Sequence, residues 1–135
     1  MVSMNFENFL REVKSSGWYK LTGMEPKAEK GKAVVRVNVG EEHLQAYGTV
    51  HGGMIATLID SAAGLAVNSL LVEEGKRVVT VELDIKFVNP ASCRELIAEG
   101  KVISVKSSIA TAYAEVKGNG ELIAFGTATF YILPP

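Results

Sequence analysis

The sequence predicts an α+β domain in which one long apolar helix is wrapped by a curved antiparallel sheet, with a short helix ahead of both. Three observations carry this prediction. Gly52-Gly53 opens, and Gly75 closes, a stretch too apolar to lie on a surface. From Val79 onward the pattern changes to period two and keeps it to Leu133. Lys117-Gly118-Asn119-Gly120 then separates the last two runs with hairpin chemistry, because Gly and Asn accept positive φ. A helix that apolar needs cover on most sides, and wrapping it in the strands is the simplest arrangement. One sheet still leaves an apolar flank open, which predicts an oligomer.

The elements follow in order. Phe6, Phe9, Leu10 and Val13 recur at helical spacing, so Asn5 to Ser15 is expected as an amphipathic helix ended by Gly17. Trp18 to Leu21 is expected to be extended. Ala33 to Val39 alternates, with Ala33, Val35, Val37 and Val39 on one face. Gly40 to Val50 is a polar loop, and the central helix follows. Val79, Val81, Leu83, Ile85 and Phe87 are expected on one face of the next strand, opposite Thr80, Glu82, Asp84 and Lys86. Asn89-Pro90 breaks that strand. Leu96 to Val105 is a strand with mixed faces. Ile109 to Val116 presents Ala110, Ala112, Ala114 and Val116, and Leu122 to Leu133 closes the domain. The four long strands suit an antiparallel meander. The small Ala face suits close approach of a helix or a neighbouring subunit.

Composition bounds the function. The 135 residues make one domain, 1–135. Apolar residues make up 47% and charged residues 21%, values ordinary for a soluble globular protein. Fourteen basic against fifteen acidic residues give a net charge of −1, so no basic excess exists to hold a nucleic acid. A lone Cys93 excludes an internal disulfide and fits a reducing, cytoplasmic setting. Met1 to Leu10 lacks a basic start followed by an apolar run, so it does not read as a signal peptide. Ile55 to Val72 is nearly long enough to span a bilayer. It contains Asp60, with Thr57, Ser61, Asn68 and Ser69 around it, and reads instead as a buried helix.

The chemistry concentrates between Gln45 and Asp60. Two glycines at a helix start leave backbone N–H groups uncovered by side chains, and the helix dipole adds positive potential there. Such a terminus holds an anion or a developing oxyanion. Asp60, among Leu58, Ile59, Ala62 and Ala63, is expected to be buried and its pKa raised, as suits a general base. Gly53 and Asp60 are two turns apart, hence on one helix face but separated by about 10 Å. One reacting carbonyl cannot touch both. If both act on one substrate, Asp60 meets the helix start of another subunit, and a two-fold dimer carries two composite sites.

Tyr47-Gly48-Thr49-Val50-His51-Gly52-Gly53 followed by Asp60 resembles the signature of hotdog-fold thioesterases, closest to the phenylacetate-pathway (PaaI-like) acyl-CoA group. Phe87-Val88-Asn89-Pro90-Ala91 and Leu122 to Phe130 also fit that pattern, so the resemblance covers nearly the whole chain. It implies the hotdog fold and hydrolysis of an aromatic or short-to-medium acyl-CoA. It implies Asp60 as the carboxylate that activates water or attacks the carbonyl, and the Gly52 N–H as the group polarising that carbonyl. His51 would shape the site near the sulfur, and Thr80 would orient the water. Gln45 stands where the family often has Asn. Gly53 and Met54 would contact substrate. It further implies sites shared between subunits, in dimers paired into tetramers.

Other readings fit less well. A serine-esterase use of His-Gly-Gly needs a G-x-S-x-G elbow, which is absent. His43 and His51 offer no zinc spacing, so neither metal nor cofactor is expected. Cys93 reads as a packing residue. A non-catalytic acyl-CoA binder on the same fold is the main alternative, and an assembly protein with a merely packed helix is a third. The coenzyme A phosphates call for basic groups. Arg77, Lys86, Arg94 and Lys106 are available, and none is assigned.

Overall fold

The computed structural model describes residues 5–135. Helix α1 (Phe6–Ser15) starts where the Asn5 side chain accepts the Asn8 N–H at 2.9 Å. The Phe6 N–H donates to Glu73 Oε2 at 3.0 Å, tying α1 to the end of the central helix. Gly17 does not end α1. Ser16 turns the chain, and Gly17 is the first residue of a second helix, α2 (Gly17–Thr22), which stops at left-handed Gly23. The expected extended segment Trp18 to Leu21 is therefore helical. Burial of Tyr19 and Thr22, three residues apart, against exposed Trp18 and Leu21 is the helical period.

Strand β1 (Glu25–Glu29) pairs with β2 (Lys32–Asn38) through a turn at Lys30 and Gly31, both at positive φ. A 3₁₀ turn (Glu41–His43) leads to the central helix α3 (Gly52–Leu71), continued by a 3₁₀ turn (Val72–Glu74) to left-handed Gly75. Then come β3 (Arg77–Phe87), β4 (Glu95–Lys106), β5 (Ile109–Gly118) and β6 (Glu121–Leu133). The β5–β6 turn has Asn119 and Gly120 at positive φ, as its sequence demands.

All strand pairs are antiparallel, in the order β1-β2-β4-β5-β6-β3. Only β4, β5 and β6 form a meander. β3 lies beside β6 rather than β4, because residues 88–94 are a crossing loop rather than a tight turn. Val88 N–H and Asn89 Nδ2 donate to the Ile123 and Leu122 carbonyls, and Arg94 O accepts the Val39 N–H. The chain is thus carried across the start of β6 to the side of β2. The sheet curves around the core side of α3 and leaves the side bearing Asp60 open, and β3 becomes an edge strand.

Leu58, Ile59, Ala62, Ala63, Ala66 and Val67 of α3 pack on Ala110, Ala112, Ala114, Val116, Leu96 and Phe130. Each buried Leu or Ile contributes roughly 1.5–3 kcal/mol. The Ala face does what its small size predicts. Gly100 of β4 brings the sheet closer still, since a Cβ there would overlap the Ala62 carbonyl. α3 is long and apolar enough to cross a membrane, at a mean hydropathy of 1.7, but half of its residues are buried inside this sheet.

His43 anchors the approach to α3. It is 6% exposed. Its Nδ1 accepts the Gly40 N–H at 2.9 Å, so Nε2 carries the proton and donates to the Thr22 carbonyl at 2.7 Å. His43→Ala leaves both backbone groups without these partners. It should cost about 2–4 kcal/mol, read as an earlier urea midpoint with unchanged slope.

Candidate active site

The start of α3 makes one donor available. His51, at φ −62° and ψ 136°, is the N-cap. Its ring Nδ1 accepts the Gly53 N–H at 2.8 Å. Its carbonyl accepts Met54 N–H at 2.9 Å and Ile55 N–H at 3.2 Å. Among the described residues, the Gly52 N–H alone of these four has no acceptor. His51 thus has a structural role, because its ring consumes the Gly53 N–H and leaves that of Gly52 free. Gly52 is exposed, with room beside it. A Cβ there would meet only the Phe87 ring, at 3.7 Å.

Asp60 lies two turns further along the same uninterrupted helix, about 10 Å from Gly53. It is half-buried, not enclosed as expected. Leu58, Ile59, Ala62 and Ala63 are all buried, but they point into the core and leave Asp60 on the open flank. The Thr80 hydroxyl donates to Asp60 Oδ1 at 2.7 Å. A β-bulge puts Thr80 there. The register with β6 shifts between Thr80 and Glu82, so Thr80 pairs with Phe130 while Leu83 pairs with Ala128. Thr80 therefore shares the helix-facing side with Leu83, Ile85 and Phe87. Val79, paired with Tyr131, faces outward, and the expected single face from Val79 to Phe87 is broken at Val81.

Gln45 stays within its own loop. Its Nε2 donates to Thr49 Oγ1 at 2.6 Å, and its Oε1 accepts the Tyr47 N–H at 2.9 Å. Tyr47 at the loop tip is 91% exposed. His51, Gly53 and Met54 do come together, lining a cavity of about 340 Å³ with Trp18, Leu21 and Thr57. Asp60 and Thr80 line a separate cavity of about 200 Å³ with Tyr19 and Asn68.

Tyr19 has no signal in the sequence. It is 8% exposed. Burial pushes its phenol up; a hydrogen bond with Ser61 opposes the shift, and the negative charge of Asp60 adds to it. The hydroxyl therefore keeps its proton beside Asp60 at neutral pH. Cys93 packs against Gly118, and burial likewise raises its thiol, a backbone hydrogen bond from Glu95 opposing, which suits a packing residue. Among the described residues no three His, Cys, Asp or Glu converge as a metal site. Arg77, Lys86, Arg94 and Lys106 are exposed, and Lys86 pairs with Asp84 at 2.7 Å.

The long helix held inside a curved antiparallel sheet is the hotdog fold. Residues 47–123 match the Thioesterase superfamily; the chain belongs to that family, and the match makes it a thioester hydrolase. It is 33% identical over 108 residues to acyl-coenzyme A thioesterase 13 of Homo sapiens, covering 78% of this chain and 76% of the relative. The fold is similar to a mutant of the phenylacetic acid degradation protein PaaI from Thermus thermophilus. The TM-score is 0.80 and the identity 28%, over 87% of this chain and 100% of the other. It is also similar to the BH2602 protein of Bacillus halodurans, solved with CoA. There the TM-score is 0.80 and the identity 30%, over 95% and 83% of the two chains.

Proposed function

We propose that the chain hydrolyses an aromatic or short-to-medium acyl-CoA to the free acid and coenzyme A, using Asp60 of one subunit and the Gly52 N–H of another. The observation that carries this reading is one unspent N–H at the start of α3 and one hydroxyl-held carboxylate further along the same helix. Asp60 takes a proton from water as the water oxygen bonds to the carbonyl carbon; or it attacks that carbon itself, and water then hydrolyses the resulting acyl–Asp60 anhydride to the free acid. Charge develops on the carbonyl oxygen and is met by the Gly52 N–H. Collapse breaks the C–S bond, and the thiolate leaves and is protonated. The thiolate is a good leaving group, so this route needs no resident metal or cofactor.

Thr80 is a positioning residue: it fixes the carboxylate and the water beside it. The Gln45 amide is engaged by Thr49 and Tyr47, so Thr80 takes over the orienting role that the family often gives to an Asn. Sharing between subunits rests on the helix geometry, and the edge position of β3 supports it. Exposed Val79, Val81 and Phe87 leave that strand open to a second copy. The assembly proposed is a homodimer or dimer of dimers, in the cytoplasm.

The test is thiol release from a panel of phenylacetyl, hydroxybenzoyl, short, medium and long acyl-CoA thioesters. Hydrolysis of one or more members supports the proposal. Binding of coenzyme A without any turnover replaces it with an acyl-CoA binder. Thr80→Val keeps the shape and removes the hydroxyl. It should lower kcat about tenfold with KM little changed, whereas a merely structural loss would lower the melting temperature instead.

A further inference from the structure

The cavity behind Asp60 is walled by the N-terminal helices. Phe9 and Val13 of α1 and Tyr19 of α2 face Asp60, Thr80 and Asn68 across about 200 Å³. Leu65, Val78 and Phe130 make its floor. The family match begins at residue 47, so both helices lie outside that stretch. The N-terminal segment thus builds one wall of this cavity. Phe9 and Val13 are only partly buried, and α1 has no fully buried residue. Both side chains pack against the edge of the core and also line this cavity.

Size follows from volume. At about 200 Å³ the cavity is below the roughly 300–1,000 Å³ of clefts that hold drug-sized ligands, so it suits a compact group. That is one ring or a short chain. The walls are mostly apolar, with hydroxyls near Asp60 and nothing cationic among the lining residues, so the occupant is an uncharged acyl group rather than a phosphate.

We propose that this cavity is the acyl-selecting pocket of the enzyme, with Phe9 and Val13 setting its depth, Tyr19 closing its rear, and a compact acyl group as its occupant. The proposal rests on the thioesterase reading above and adds which residues choose the substrate. One methylene in an apolar pocket discriminates by about 10–200-fold, so two side chains on a helix suffice.

The experiment compares kcat/KM for acetyl-, hexanoyl-, phenylacetyl-, dodecanoyl- and palmitoyl-CoA in the full chain. Wild type should prefer hexanoyl or phenylacetyl over palmitoyl by roughly tenfold or more. Phe9→Ala with Val13→Ala should raise the dodecanoyl-to-hexanoyl ratio about tenfold. Val13→Trp fills the pocket and should lower the phenylacetyl-to-acetyl ratio by a similar factor. Ratios are insensitive to the amount of folded enzyme, and the two changes push selectivity in opposite directions. A wild type that hydrolyses palmitoyl as well as hexanoyl overturns the pocket, as does a uniform loss across the panel in both variants. In those cases thioester hydrolysis itself still stands. Absence of turnover for every thioester in wild type overturns the reading beneath it.

Discussion

Asp60→Asn is expected to lower kcat by about 10²–10⁴-fold, the range for removing a general base. The substitution is nearly isosteric. Its Oδ1 can still accept the Thr80 hydroxyl, which now stands 2.7 Å from Asp60 Oδ1. Asp60 is half-buried, so the amide meets no new desolvation, and the melting temperature should hold within a few degrees. KM should stay within a fewfold, because the carboxylate acts on water or the carbonyl and not on the coenzyme A moiety. Asp60→Ala, which also orphans Thr80, should be at least as inactive. Thiol release at saturating substrate, with circular dichroism as the folding check, decides the matter. A variant that keeps more than a tenth of the wild-type rate would mean that another group supplies the base.

How far the sequence carried can be judged residue by residue. The sequence runs located five of the six strands, and the Asn119-Gly120 turn was readable from residue type, because few residues accept φ values of 54° and 76° in succession. The Ala110, Ala112 and Ala114 face announced the close helix, and all three are fully buried. β1 was invisible. Glu25-Pro26-Lys27-Ala28-Glu29 has no apolar alternation, and a proline survives there because the strand lies on an edge. α2 was invisible for a different reason: six residues are less than two turns, too few to show a period. The place of β3 beside β6 is a long-range pairing that no local pattern encodes.

The site was legible unevenly. His51, Gly52 and Asp60 sit at fixed offsets on one helix, so their relation follows from helix geometry. Which glycine keeps a free N–H depended on the His51 rotamer, which only coordinates reveal. Thr80 came from family resemblance, while periodicity put it on the wrong face. A bulge inserts a residue without interrupting the apolar run, and so reverses the faces unseen. The burial expected for Asp60 was misjudged from sequence neighbours. On a helix, Leu58 and Ala62, two residues either side, point about 160° away from it. Tyr19 reaches Asp60 only through tertiary packing, and nothing near it in sequence marks it.

Gly52→Pro gives the second large effect, and it bears on the sharing of the site. Gly52 is the first residue of α3, the position where proline is best tolerated in a helix. The preceding His51, at φ −62° and ψ 136°, already has the conformation that proline imposes on its predecessor. The nearest side chain to the new Cβ is Phe87, at ordinary contact distance. The substitution thus removes one N–H and little else. Loss of one oxyanion donor should cost about 10²–10³ in kcat, near 3–4 kcal/mol. Mixing this variant with Asp60→Asn under subunit exchange then separates two geometries. If each site takes Gly52 from one chain and Asp60 from the other, every heterodimer carries one intact site and one doubly damaged site. Random exchange makes half the dimers mixed, so activity should return to about a quarter of wild type from two nearly inactive parents. If both groups of one chain served one site, no pairing of the two variants could restore it. Helix geometry argues against that second arrangement, because Asp60 lies eight residues, about 12 Å of helix rise, beyond Gly52. Recovery on mixing is the expected result, measured as thiol release against time after exchange. A mixture that stays at the parental rate, with exchange verified by native mass spectrometry, would place the whole site within one chain.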